Sequence, residues 1–167
     1  MAEKHSHQWI TGVSFGLTSG TITALGMLVG LYAATSSTLA VVAGLVTMAI
    51  ADGLADAAGL HIVEEAQMEK GRTRYNSKEI WLTTFVTFLS VTGIILTFVI
   101  PILFFPIDTA VLISIAWGLL LLILLNLFIA KIKNEEPVKL IIEHVVLAAF
   151  VIIVSDWVGG LIGAWLR

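Results

Sequence analysis

Three aspartates, Asp52, Asp56 and Asp156, stand in stretches otherwise too apolar to hold a charge. An Asp at the centre of a bilayer costs about 2.5–3.5 kcal/mol to insert, so each calls for a partner or a function. Asp52 and Asp56 are spaced i, i+4, which puts both carboxylates on one helix face, one turn apart. Two anions that close repel unless a cation, a shared proton or a donor from another helix sits between them. No Lys or Arg falls in the body of any apolar run. A bound divalent cation or a proton is therefore the natural compensation. The plainer alternative is that each Asp bonds a Ser or Thr on a neighbouring helix and locks the packing. For Asp156, beside Ser155, the same two readings stand.

A second group follows on the same segment. If the helix persists past residue 60, His61, Glu64, Glu65 and Met68 stand at i, i+3, i+4 and i+7 and form one stripe, on a face about opposite to Asp52 and Asp56. Imidazole, carboxylate and thioether together suit a borderline divalent ion such as Fe²⁺ or Mn²⁺. An ordinary solvated helix end has the same composition. Glu143 and His144 open the last apolar run and could face this stripe. His5 and His7 read as a frayed N-terminal tail.

The elements that must carry these residues follow from composition. Of 167 residues, 58% are apolar and 13% charged, and the mean hydropathy is +1.00. Soluble domains run at about 45–50% and about 25%. The chain reads as a polytopic membrane protein. Nine Lys and Arg against twelve Asp and Glu leave no basic face for nucleic acid, and the lack of Cys removes thiolate sites and disulfides. No soluble-enzyme motif is present: Gly159-Gly160 follows no strand, so it is not a phosphate loop. The chain reads as no enzyme, and no permanently bound cofactor is expected.

Runs long enough to cross the hydrocarbon core, about 20 residues, lie at 11–33, 38–60, 80–101, 109–130 and 138–165, with a cytoplasmic helix extension over 61–79, in a single all-α transmembrane domain. Thr35, Ser36 and Ser37 make the first turn. Asn76 and Glu79 form a capping pair at the third span. Pro101 and Pro106 bracket the next turn, with Asp108 or Thr109 as the following cap, and Pro137 suits a first helical position. Lys4, Lys70, Arg72, Arg74, Lys78, Lys131, Lys133 and Lys139 fall on one side of this plan, and only Arg167 on the other. The positive-inside rule then sets the N-terminus in the cytoplasm and the C-terminus outside. The length, the missing Cys and the lack of a targeting segment point to a prokaryotic plasma membrane. Trp9, Trp81 and Trp165 fall near membrane surfaces, as anchors do.

Gly12, Gly16 and Gly20, then Gly26 and Gly30, recur every fourth residue, and Gly159 and Gly163 repeat the spacing. Small residues so spaced let helices approach closely in lipid. The pattern fits a homodimer seam through the first span, or internal packing.

The first span reads Phe15-Gly16-Leu17-Thr18-Ser19-Gly20, then Thr23, Leu25-Gly26 and Gly30, and the second opens Ala43-Gly44-Leu45. With five spans and the N-terminus inside, the chain resembles the vacuolar iron transporter family, in which the corresponding first-span run is Phe-Gly-Leu-Asn-Asp-Gly. The likeness covers the first 70 residues by motif and the rest by span count. It implies a homodimer with an ion path near the two-fold axis, moving Fe²⁺ or Mn²⁺ out of the cytoplasm against protons. Ser19 stands where the family has a transport Asp, and the family's second-span Met and Glu have no literal copy. The long cytoplasmic metal-binding domain of plant members is reduced to a stub at most. Oxygen ligands without Met make Mn²⁺ as admissible as Fe²⁺.

The expected function is a divalent transition-metal transporter, a proton-coupled antiporter with Asp52 and Asp56 as its intramembrane ion site. Its ion path would include Asp156, Glu143, His144 and Ser19. Membrane lipids and a second copy are the expected partners. The main alternative is a non-transporting scaffold or complex subunit of the same fold. A transporter of small organic cations would need a roomier, aromatic-lined pocket.

Overall fold

The structure is a computed structural model that describes residues 2–69 and 76–166, with the side chains of residues 2–7, 69 and 133 outside the description. Six helices lie among these residues: α1 (Ala2–Thr35), α2 (Thr38–Glu69), α3 (Ser77–Thr97), α4 (Val99–Phe104), α5 (Ile107–Lys133) and α6 (Pro137–Trp165). Helices α3 and α4 run on as one apolar stretch. There are thus five candidate spans: Gln8–Thr35, Thr38–Met68, Ser77–Phe104, Ile107–Ile132 and Pro137–Leu166. The chain is an all-α integral membrane protein.

Each span is longer than its apolar run, because backbone caps rather than hydropathy set where a helix stops. α1 turns into α2 at Ser36, whose φ of 49° is left-handed. α5 ends on Asn134 in the same conformation, and Pro137 opens α6. At α3 the expected capping pair is complete: the Asn76 amide donates to Glu79 Oε2 at 2.9 Å and the Glu79 amide to Asn76 Oδ1 at 3.1 Å. This cap corrects the helix extension expected over 61–79. α2 carries it unbroken through Glu69, whereas Ser77 to Glu79 are the first turn of α3; Lys70, Arg72 and Arg74 lie outside the described residues. α1 begins at Ala2, so His5 and His7 are on a helix and not in a frayed tail.

Two further corrections concern the α3–α5 corner. Pro101 lies inside α4 rather than in a turn. Lacking an amide hydrogen, it leaves the Thr97 carbonyl without its helical donor, and the helix breaks at Phe98. The turn itself is Phe105-Pro106, and α5 starts at Ile107 with no side-chain cap. Asp108, expected as that cap, instead accepts the Tyr32 hydroxyl at 2.6 Å.

α1 is the central helix, packed by α2, α3, α5 and α6. Its glycine rows are used inside the chain. A Cβ on Gly16 would lie 2.7 Å from Ser90 Cβ on α3. A Cβ on Gly163 would lie 2.6 Å from the Ala34 carbonyl oxygen, and one on Gly159 would strike that of Gly30. So Gly12, Gly16 and Gly20 seat α3, while Gly26 and Gly30 seat α6. The seam expected through the first span is already filled by this chain's own helices. These registers run α1, α3 and α6 in one direction and α2 and α5 in the other, which puts the two termini at opposite ends. Leu25, Leu28, Leu45, Ile95 and Phe98 are wholly buried where the helices meet.

Candidate functional site

The carboxylate pair faces α1. Thr23 Oγ1 donates to Asp52 Oδ2 at 2.8 Å, and Ser19, one turn earlier, lies beside the Asp56 carboxyl. The antiparallel crossing of α1 and α2 sets two i, i+4 pairs against each other, hydroxyl to carboxyl, rung by rung. The two rungs are unequal. Thr23 has one proton and two close acceptors, Asp52 and the Ser19 carbonyl oxygen at 3.0 Å. Oδ2 of Asp56 is buried with no hydrogen-bond partner. A carboxylate oxygen buried in that state costs free energy until a proton or cation reaches it. Close by, Gly53 admits α3, and Thr92 Oγ1 donates to the Ala49 carbonyl at 2.9 Å.

The second group does not assemble. His61 turns to α3, where its Nδ1 is 2.8 Å from Thr84 Oγ1 and its ring centroid 4.5 Å from that of Trp81. Thr84 donates its proton to the Ile80 carbonyl at 2.9 Å, so its oxygen accepts from His61 and the imidazole proton belongs on Nδ1. His61 then borders an apolar groove of about 500 Å³ between α2 and α3. Glu64 is buried, Glu65 exposed and Met68 half-buried. Helical spacing aligns these four along α2, but the flanking helices divide them. Among the described residues, no three of His, Asp and Glu come together in a group that could hold a metal ion. The metal set expected at His61, Glu64, Glu65 and Met68 is thus not formed within one chain.

Glu143 is exposed, and His144 Nδ1 lies 2.9 Å from the Leu140 carbonyl of its own helix. They do not meet the His61 stripe, because α6 packs on α1 and α5 whereas α2 packs on α1, α3 and α4. Asp156 is exposed on α6 and borders a different cavity. Ser19 is the one member of the expected path that joins the Asp52–Asp56 pair. Thr23, named in the sequence only as part of the first-span run, completes that site as the hydroxyl partner of Asp52, and its spacing from Ser19 matches that of the two aspartates. The Tyr32–Asp108 bond was equally unannounced.

No family model and no curated protein sequence matches this chain.

Proposed function

We propose that the protein carries a divalent transition metal, Mn²⁺ or Fe²⁺, across the membrane in exchange for protons, with Asp52 and Asp56 as the ion site and Ser19 and Thr23 as its hydroxyl wall. The observation that carries this reading is the unpartnered, buried Oδ2 of Asp56 one turn from a second carboxylate, where neither Gln8–Thr35 nor Thr38–Met68 holds a Lys or Arg. A cation entering between the carboxylates satisfies that oxygen, and so does a proton when the cation leaves.

The Thr23 hydroxyl suits this alternation. Ionised, Asp52 accepts from Thr23 at 2.8 Å; protonated, it can donate to Thr23 while Thr23 donates to the Ser19 carbonyl at 3.0 Å. Both charge states are satisfied without moving a helix. A single chain offers only two carboxylates, so the reading includes a homodimer. Its seam would be the outer face of α2, where Ala43, Thr47, Ala51, Ala55 and Gly59 recur every fourth residue and all are exposed. That row lies beside the Asp52–Asp56 face and would set the carboxylates of two copies near one axis.

The test is uptake by proteoliposomes of Mn²⁺, Fe²⁺, Co²⁺ and Mg²⁺, with and without an imposed pH gradient. Transition-metal uptake that responds to the gradient is the expected result. The scaffold reading is favoured by the Thr23–Asp52 bond, which ties α1 to α2 as a structural contact would. It predicts no uptake above that of empty vesicles.

A further inference from the structure

At the end of the bundle opposite the N-terminus, α1, α5 and α6 border a second, open-sided cavity of about 460 Å³, lined by Tyr32, Ile115, Ile152, Ile153, Asp156 and Trp157 among others. We infer that this cavity binds an amphiphilic organic cation, an ammonium or phosphonium group on an apolar body, with Asp156 as its counter-ion.

The size falls within the range of small-molecule sites, about 300–1,000 Å³. Its walls are aliphatic apart from Tyr32, Trp157 and the carboxylate of Asp156. A carboxylate beside aromatic faces is the chemistry that holds a weakly hydrated cation. Asp156 makes no hydrogen bond or ion pair among the described residues, so its charge is available. The Tyr32 hydroxyl is committed to Asp108 at 2.6 Å, which fixes the phenol ring as a wall and brings a second carboxylate to the same corner.

Level with Gly30, which packs against Ser155 and Gly159, Asp156 lies about 8 Å below the end of α1, at about 1.5 Å per residue. A ligand can thus place its charge near the headgroup region and its body among the aliphatic side chains. The lining holds no Lys or Arg, and its one charged side chain is the Asp156 carboxylate, which suits a cation. This site shares no residue with the Asp52–Asp56 pair and does not depend on the transport reading.

Equilibrium dialysis of the purified, detergent-solubilised full chain with tetraphenylphosphonium, supported by quenching of tryptophan fluorescence, tests the assignment. Saturable binding is expected for the wild type and for Asp52→Asn. Asp156→Asn should weaken it on the order of tenfold, the value of one partly desolvated charge. Ile152→Trp, which keeps the carboxylate and fills the cavity, should abolish it. Equal affinity in Asp156→Asn, no saturable binding by monodisperse wild type, or displacement by phosphatidylethanolamine would each overturn the inference.

Discussion

A hydroxyl and a carboxyl in contact inside a membrane can serve packing or ion movement, and stability measurements separate the two at Asp52 and Asp56. Thr23→Val removes the only donor among the described residues that reaches Asp52 Oδ2. Interhelical hydrogen bonds in membranes average about 0.6 kcal/mol and reach about 1.7. Thr23→Val should therefore lower the unfolding free energy by about 1 kcal/mol in denaturant titration. Asp56→Asn should behave differently. It removes a charge whose Oδ2 has no partner, so the folded protein should be as stable as the wild type or more so, while metal flux is lost. Stability gained as function is lost marks a group kept for its chemistry; a clear loss of stability would mark Asp56 as a packing residue.

Close approach of backbones organises the helices, and glycine substitutions should sort by what the new methyl meets. Gly159→Ala faces the carbonyl of Gly30, and Gly16→Ala faces Ser90 and the Thr87 carbonyl. Neither neighbour can yield without moving a helix, so each should cost about 1–3 kcal/mol. A methyl on Gly93 or Gly160 meets nothing within 4 Å, so Gly93→Ala and Gly160→Ala should leave thermal stability unchanged or slightly raised. Equal effects at all four positions would contradict the packing described.

The helices and their order were legible in the sequence, because runs of this hydropathy have no other solution and because Asn76, Glu79 and Pro137 are strong local punctuation. The partner of each glycine row was not. The same spacing fits a seam with a second copy or with α3 and α6, and only three-dimensional packing chooses. The carboxylate pair was legible for a similar reason: i, i+4 spacing fixes a shared face. The stripe from His61 to Met68 obeyed that rule, yet within one chain its members do not come together as a group of three His, Asp or Glu. Spacing says which residues share a face of α2, and the flanking helices decide which of them meet.

Across the whole molecule, the account places a second copy against α2. The chain has no Cys, so single-cysteine variants report cleanly. Ala51→Cys and Ala55→Cys should cross-link spontaneously into dimers in membranes, and Ile153→Cys on α6 should not. Ala55→Trp should shift the protein to a monomer on sizing while its helical content is retained. Cross-linking at Ile153 with none at Ala51 or Ala55 would move the interface to another face and remove the four-carboxylate site. Charge distribution orients the molecule: a thiol at Glu135, in the α5–α6 turn, should react only from the cytoplasmic side, and one at Ser36 only from outside.

The central claim is that metal and protons exchange through Asp52 and Asp56. It is met most directly by proteoliposomes loaded with a pH-sensitive dye and given an inward Mn²⁺ gradient, with wild type and Asp52→Asn compared at equal dimer content. The account predicts that Mn²⁺ entry raises the internal pH as protons leave in exchange, and that Asp52→Asn abolishes both movements. Mn²⁺ entry without proton movement, or unchanged exchange in Asp52→Asn, would contradict it.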